Sequence, residues 1–505
     1  MLRRAYLTII TTICSWFKTK ETNSDEEMEE IQDKNKNIDP KLQKLPIKDV
    51  KTSWILFITT ISISLGCSIP TGYNIGVVNA PAGIVKSWCN DTILHRYAIE
   101  LTKSQIDIVW SILVSIFLIG GIVGGAAGGN LANALGRKGA LNLTFLLNVL
   151  SGICFICCKP LALVELFFLG RLIAGLAAGL TMAMVPMYLL ELAPLGKEGV
   201  FGVIFTVGLN LGVLSSQGLG LENLLGNDYL WPYLFSLYAG VLLIVVPTLP
   251  FVPESPKYLY TVRDNYRKAL SELSKLRGLP ESAVSWELDN LNVSNETWTL
   301  KKVISSPANR KALMITCIIM IGQQFSGINA VFYYSTDIFK NAGMSNTAAQ
   351  YGNLGTGLIN FIVTLVSTSF INSFGRKSLL IFSCMTCVLM LTGLMAYMVL
   401  SSMDAITGLS YLSVVFIVGY VLCYGVGLGP IPFFIGSEMT DVGPRPIIMA
   451  ANSVANWCGN FIVGLMFPII SLALQQYSFL PFIAFTTFII VFTWKCVPET
   501  KPPSE

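Results

Sequence analysis

The chain has 505 residues, 53% of them hydrophobic and only 13% charged, with a net charge of +4. A soluble domain is about a quarter charged, so this composition excludes an ordinary soluble fold and places most of the chain in lipid. The charge is small and dispersed, which leaves no basic face for nucleic acid.

The first fifty residues stand apart. Arg3 and Arg4 precede a short apolar stretch, but Ser15, Trp16, Phe17 and Lys18 form no small-residue cleavage site, so the segment reads as retained rather than as a signal peptide. Residues 18–51 are dense in Lys, Glu, Asp and Asn and lack aromatics. Residues 1–50 are therefore expected to be a cytosolic, disordered segment.

Stretches of about 20 apolar residues, the length that crosses a bilayer, follow at 54–76, 105–130, 139–158, 161–186, 200–221, 229–252, 312–338, 348–372, 378–401, 408–437, 446–472 and 478–497. They predict an all-α membrane protein with twelve transmembrane helices in two six-helix pseudo-symmetric halves. The expected units are a bundle over 51–252, a cytosolic linker with short helices over 253–311, a second bundle over 312–497 and a short cytosolic tail over 498–505.

Positive residues gather in alternate loops, at Arg137 and Lys138, Lys197, the linker, Arg376 and Lys377, and Arg445. Positive loops stay in the cytosol, so both termini are expected there and the 77–104 loop outside. The sequon Asn90-Asp91-Thr92 falls in that outer loop and makes Asn90 a candidate glycan site. The sequons at Asn292 and Asn295 fall on the cytosolic side and are expected to stay unmodified. Of twelve cysteines, Cys154, Cys157 and Cys158 form the one suggestive group, and with no His or carboxylate beside them they read as helix packing. Neither a metal site nor a disulfide framework is implied.

The halves repeat. Gly136-Arg137-Lys138 recurs as Gly375-Arg376-Lys377, a shift of 239 residues. Glu191 and Glu438 are 247 apart, and the Pro253-Glu254-Ser255 and Pro498-Glu499-Thr500 runs are 245 apart. Two six-helix halves in the same orientation, with a site between them, are a transporter arrangement.

Polar side chains at membrane depth are costly unless they meet a cavity or a partner. Here they are amides and rings: Gln323, Gln324, Asn329, Tyr333 and Tyr334 in the seventh span, Asn360 in the eighth, Asn456 and Trp457 in the eleventh, and Asn74 in the first. An amide both donates and accepts, as a sugar hydroxyl does, and an aromatic ring can cover the apolar face of a pyranose. A neutral polyhydroxylated ligand fits this set. The competing reading is that the amides only join helices, at about 0.6 kcal/mol each.

In the tenth span, Gly425, Gly427, Gly429, Pro430 and Pro432 cannot continue a straight helix, which marks a hinge or gate, or a plain packing kink. At the cytosolic ends, Arg137, Lys138 and Glu191 in one half, with Arg376, Lys377, Glu438 and Arg445 in the other, suggest a latch of cross-half ion pairs that holds the inner side shut. Alternatively they only set topology.

These strings, together with Gly170-Arg171-Leu172, Val185-Pro186-Met187-Tyr188, Gln323 to Asn329, Gly429-Pro430-Ile431-Pro432 and Gly443-Pro444-Arg445-Pro446, resemble the facilitative glucose transporter family of the major facilitator superfamily, class I-like, from about residue 50 onward. The resemblance implies sugar contacts at Gln323, Gln324, Asn329, Asn360 and Asn456, with Trp457 lining the pocket. It places Asn74 where proton-coupled relatives carry an aspartate, with Arg171 nearby; an amide cannot titrate, which favours a uniporter. Departures from the family pattern are Met320-Ile321-Gly322, Thr206, Glu198, Asn372, Gly425 and Phe433, which leave the preferred hexose open. The expectation is facilitative transport of glucose or a related hexose, with a proton-coupled symporter or a non-transporting sugar sensor as rivals. No cofactor is implied. The sole histidine, His95, lies in the outer loop, so no catalytic constellation is present.

Overall fold

The computed structural model describes residues 53–289, 291, 298–332, 339, 345–403 and 411–500. The expectations for residues 1–50, Asn292, Asn295, Tyr333 and Tyr334 fall outside the described residues, as does the side chain of Asn372.

The spanning helices are α1 (Trp54–Gly76), α3 (Lys103–Cys158), α4 (Val164–Leu192), α5 (Glu198–Leu219), α6 (Trp231–Phe251), α11 (Pro307–Phe332), α12 (Asn346–Ser373), α13 (Arg376–Ser402), α14 (Tyr411–Glu438), α15 (Arg445–Leu474) and α16 (Leu480–Cys496). At 56 residues α3 is too long for one crossing, and Gly136, at φ 79°, breaks it in two. Twelve crossings result. The segment 77–104, expected as a polar loop, instead carries a helix, α2 (Ala82–Tyr97), with Asn90 half-buried in its middle. Four short helices fill the linker: α7 (Pro256–Thr261), α8 (Tyr266–Arg277), α9 (Glu281–Asp289) and α10 (Leu300–Ser305). The second of them docks on the first half through Arg277, which donates to Leu192 O and Ala193 O at the open C-terminus of α4 and pairs with Glu287 of the third, whereas α10 packs on the second half, with Val303 against Ala312, Ile447 and Ile448.

Each half centres on its own apolar core, the first also taking in Met320, Phe433, Met449 and Trp457 and the second Leu190 and Val203. The halves meet where the first limb of α3 packs on α15 and where α5 packs on α12. The seam is close because glycine lets it be. A Cβ on Gly125 would lie 2.6 Å from Ser453 Oγ, and one on Gly129 would lie 2.6 Å from Pro446 O. Across the seam Asn210 Nδ2 donates to Thr364 Oγ1 at 2.8 Å, and Ser453 Oγ donates to Gly179 O at 3.1 Å.

Proline interrupts the first span as well as the tenth. Pro70 has no N–H for Gly66 O; the helix widens into a π turn over Ser64–Ser68, and Asn148 Nδ2 from α3 reaches Gly66 O at 3.4 Å.

Candidate functional site: amides around a broken helix

The break in α14 organises the site. Leu428 O would pair with the N–H of residue 432, but Pro432 has none, and Phe433 N–H turns instead to Pro430 O. Two carbonyls are thus left open inside the protein. The Gln323 amide fills the gap, its Nε2 donating to Leu428 O at 3.0 Å and Gly429 O at 2.8 Å. Asn456 Nδ2 then donates to Gln323 Oε1 at 2.8 Å. Three elements, α11, α14 and α15, are joined through one fully buried side chain. Gln323 was expected as a sugar contact; in this structure both its N–H groups are donated to the break and its Oε1 accepts from Asn456.

The other expected residues flank the same break. Gln324 accepts from Asn329 Nδ2, so those two amides form a second pair on a different face of α11. One turn before the break, Gly425 lies against Asn360: a Cβ there would be 3.4 Å from Asn360 Oδ1. One turn after it, Phe433 stands edge-on to Phe205 across the seam, with ring centroids 5.1 Å apart, and Thr206 follows Phe205 in α5. Trp457, beside Asn456, is fully buried between the two halves, edge-on to Phe117 at 5.4 Å. Asn360 Oδ1, Thr206 Oγ1 and Trp457 Nε1 are buried without a hydrogen-bond partner in the protein. Each such orphan costs about 1–3 kcal/mol unless water or a hydroxylated ligand supplies the partner.

Behind this set, Arg171 Nη1 donates to Asn74 O at 2.9 Å, and the guanidinium lies 4.4 Å from the centre of the Phe117 ring. The expected neighbourhood of Asn74 and Arg171 is present. Phe117 and Phe205 have no signature in the sequence, since an apolar residue in an apolar span is unremarkable until its neighbours are known.

The ion-pair cluster departs from expectation. Arg137 makes two bonds of 3.0 Å to the carboxylate of Glu191, and Arg376 pairs with Glu438 at 3.0 Å, both within one half. Lys138 and Lys377 contribute their backbone N–H groups, not cross-half pairs. Among the ion pairs of the described residues, Arg445 makes the one that crosses, with Nη1 3.8 Å from Glu191 Oε1. The local reason is a repeated cap. Glu254 accepts the N–H groups of Arg137, Lys138 and Ser255, and Ser255 Oγ donates to Glu191. Glu499 accepts those of Arg376, Lys377 and Thr500, and Thr500 Oγ1 donates to Glu438. Each glutamate thus sits at a helix start, where the dipole favours a negative charge. Burial pushes the Glu254 carboxyl up from its ordinary value, against the pull of its N–H donors and Arg137.

The sugar (and other) transporter family model matches residues 58–504. The chain is 35% identical over 443 residues to the facilitated glucose transporter member 1 of Gallus gallus, covering 86% of this chain and 89% of that one. It is 36% identical to member 3 of Rattus norvegicus, covering 89% and 91%, and 36% identical to member 4 of Homo sapiens, covering 88% of each. Among solved structures, the proton:xylose symporter XylE bound to 6-bromo-6-deoxy-D-glucose superposes with a TM-score of 0.73 at 23% identity, over 88% of this chain and 96% of that one. The partially occluded inward-open form of XylE from E. coli gives 0.69 at 23% identity, over 90% and 100%. At that identity the structures speak for the twelve-helix fold alone.

Proposed function

The chain belongs to the sugar (and other) transporter family, and from that premise we propose that it carries glucose or a closely related hexose across the membrane by uniport. The relatives named as facilitated glucose transporters, at 35–36% identity, support the substrate class. One observation carries the mechanism. Every Asp and Glu in the described spans lies at or near a helix end, and the groups around the break in α14 are amides, a hydroxyl and rings. A proton-coupled carrier needs a group at membrane depth that gains and loses a proton; an amide at Asn74 does neither. Sugar enters between the halves, Gln324, Asn329, Asn360, Asn456 and Trp457 hold it with Thr206 and Phe433, and the halves rock about the seam.

The end of the bundle bearing Arg137 and Arg376 is cytosolic in this reading, by the positive-inside rule, with both termini on that side, the protein in the plasma membrane and Asn90 outside carrying a glycan. Loss of a glycosidase-sensitive band shift in Asn90→Gln checks the last point.

The test is uptake of labelled D-glucose into vesicles holding the purified full chain, with galactose and fructose as competitors. Equilibration without accumulation, unaffected by an imposed proton gradient, is the expected result. Accumulation driven by that gradient would establish a symporter, and no movement of any hexose would remove the transport reading.

A further inference from the structure

Trp457 belongs to the second half, yet its indole is seated on the first. A Cβ placed on Gly121 would lie 2.6 Å from indole Cδ2 and 2.9 Å from Cε2, so the ring rests directly on the α3 backbone. Phe117, one turn earlier and on the same face of α3, meets the indole edge-on at 85° and 5.4 Å. Arg171 from α4 places its guanidinium 4.4 Å from the Phe117 ring centre and anchors to Asn74 O. A desolvated cation over a ring is a strong contact, and it fixes Phe117 from behind. Gly121 and Phe117 are thus floor and wall of a slot for a side chain of the opposite half.

We propose that Gly121 and Phe117 are positioning residues for Trp457, and that the slot seats the indole in the linker-end-closed arrangement seen here and releases it when α15 moves off α3. The inference rests on the transport reading, in which Trp457 touches sugar. Near the slot, the contacts across the seam on the linker side, at Ser453 with Gly125 and Gly179 and at Pro446 with Gly129, are all closed. Filling the slot disfavours this closed arrangement and no other. The neighbouring glycine supplies the contrast. A Cβ on Gly120 would strike Leu172 O, at 2.4 Å, inside its own half, so its cost is the same in every arrangement of the halves.

The readout is the ratio of half-saturating sugar concentrations for entry and exit, measured in vesicles of one orientation holding the full chain. Apparent affinity on one side scales with the fraction of carrier competent to bind there. Gly121→Ala should raise the entry value and lower the exit value, changing their ratio by about threefold or more, as overpacking of a well-filled contact predicts. Phe117→Leu should shift the ratio in the same direction by emptying the wall, and Phe117→Tyr, which keeps the ring, should restore it. Gly120→Ala should lower protein yield or maximal rate and leave the ratio unchanged. An unchanged ratio in both Gly121→Ala and Phe117→Leu overturns the slot, as does an equal change in Gly120→Ala. Should Gly121→Ala not fold, Phe117→Leu against Phe117→Tyr decides alone. Wild-type protein that moves no hexose fails the transport reading itself and is recognised before any variant is made.

Discussion

Gln323→Ala separates two jobs that the sequence cannot tell apart. If the amide mainly contacts sugar, its loss should weaken uptake and leave the protein as stable as before. The structure says otherwise. Truncation strands Leu428 O and Gly429 O in a buried site and leaves Asn456 Nδ2 with only the weak acceptor Met320 Sδ. At about 1–3 kcal/mol for each unpaired group, and allowing water to relieve part of it, the cost is about 3–6 kcal/mol, a large share of a typical domain's stability. The purified variant should therefore melt several degrees below the wild type in a thermal-shift assay. The same logic gives a rescue. Pro432→Ala returns an N–H to the position that Leu428 O lacks, so Pro432→Ala in the Gln323→Ala background should recover about 1 kcal/mol relative to additivity in a double-mutant cycle. A Gln323→Ala protein that melts with the wild type, or a double variant that is no better than additive, would refute the idea that this side chain stands in for the missing proline N–H. Asn329→Ala is the counterpart. Among the described residues it removes one bond, to Gln324, so uptake should fall while melting drops less than in Gln323→Ala.

The ion-pair cluster predicts unequal effects. Arg137→Gln leaves Glu191 without its two-bond partner inside its own half, at about 3–5 kcal/mol for a broken buried pair, and should reduce folded protein; Arg445→Gln loses the 3.8 Å contact to Glu191 and the bonds to Thr440 O but leaves Glu191 paired with Arg137, and should lower the yield less, as solubilised-protein chromatography would show. Initial hexose uptake should be flat between about pH 5.5 and 8, because no carboxylate lies in the interior of a described span; a steep profile under a clamped gradient would contradict this. Trp457→Phe keeps an aromatic ring, deletes the orphan Nε1–H and trims the indole to a single ring. The half-saturating concentration should rise about fivefold to tenfold, as for one hydrogen bond, and an unchanged value would show that the indole N–H has no sugar partner.

What the sequence made legible was set by periodic and positional signals. Twelve apolar stretches and the repeat of Gly-Arg-Lys, Glu and Pro-Glu-Ser/Thr are local strings, and they carried the fold and the elements of both end networks. Three crossings depart from a plain straight span: α3 holds two that are separated only by the kink at Gly136, α15 is bent near its end, and α16 is short. The amides were visible as costly groups at membrane depth, but not their partners. Nothing in Gln323-Gln324 says that the first amide turns to a carbonyl freed by a proline about a hundred residues on, while the second pairs with Asn329. Phe117 and Phe205 were invisible because their significance lies wholly in what the other half presents to them.

The same distinction explains why the latch misleads when read from charges alone. Charge pattern gives partners of opposite sign at one end of the bundle, and the economical guess pairs them across the seam. The hydrogen bonds instead close within each half, leaving Glu191 with Arg137 and Ser255 whether or not Arg445 is near. Arg445 in turn keeps its bonds to Thr440 O, at 2.7 and 3.2 Å. Opening this end therefore breaks one long ion contact, with the Ser453–Gly179 hydrogen bond, and leaves Glu191 paired with Arg137. Its barrier is left mainly to the glycine-tight packing of α3 on α15. A carrier that only equilibrates its substrate needs its two arrangements to differ by little free energy. A latch built from strong cross-half pairs would oppose that, whereas self-contained networks keep each half rigid and leave the choice between arrangements to the seam and the sugar.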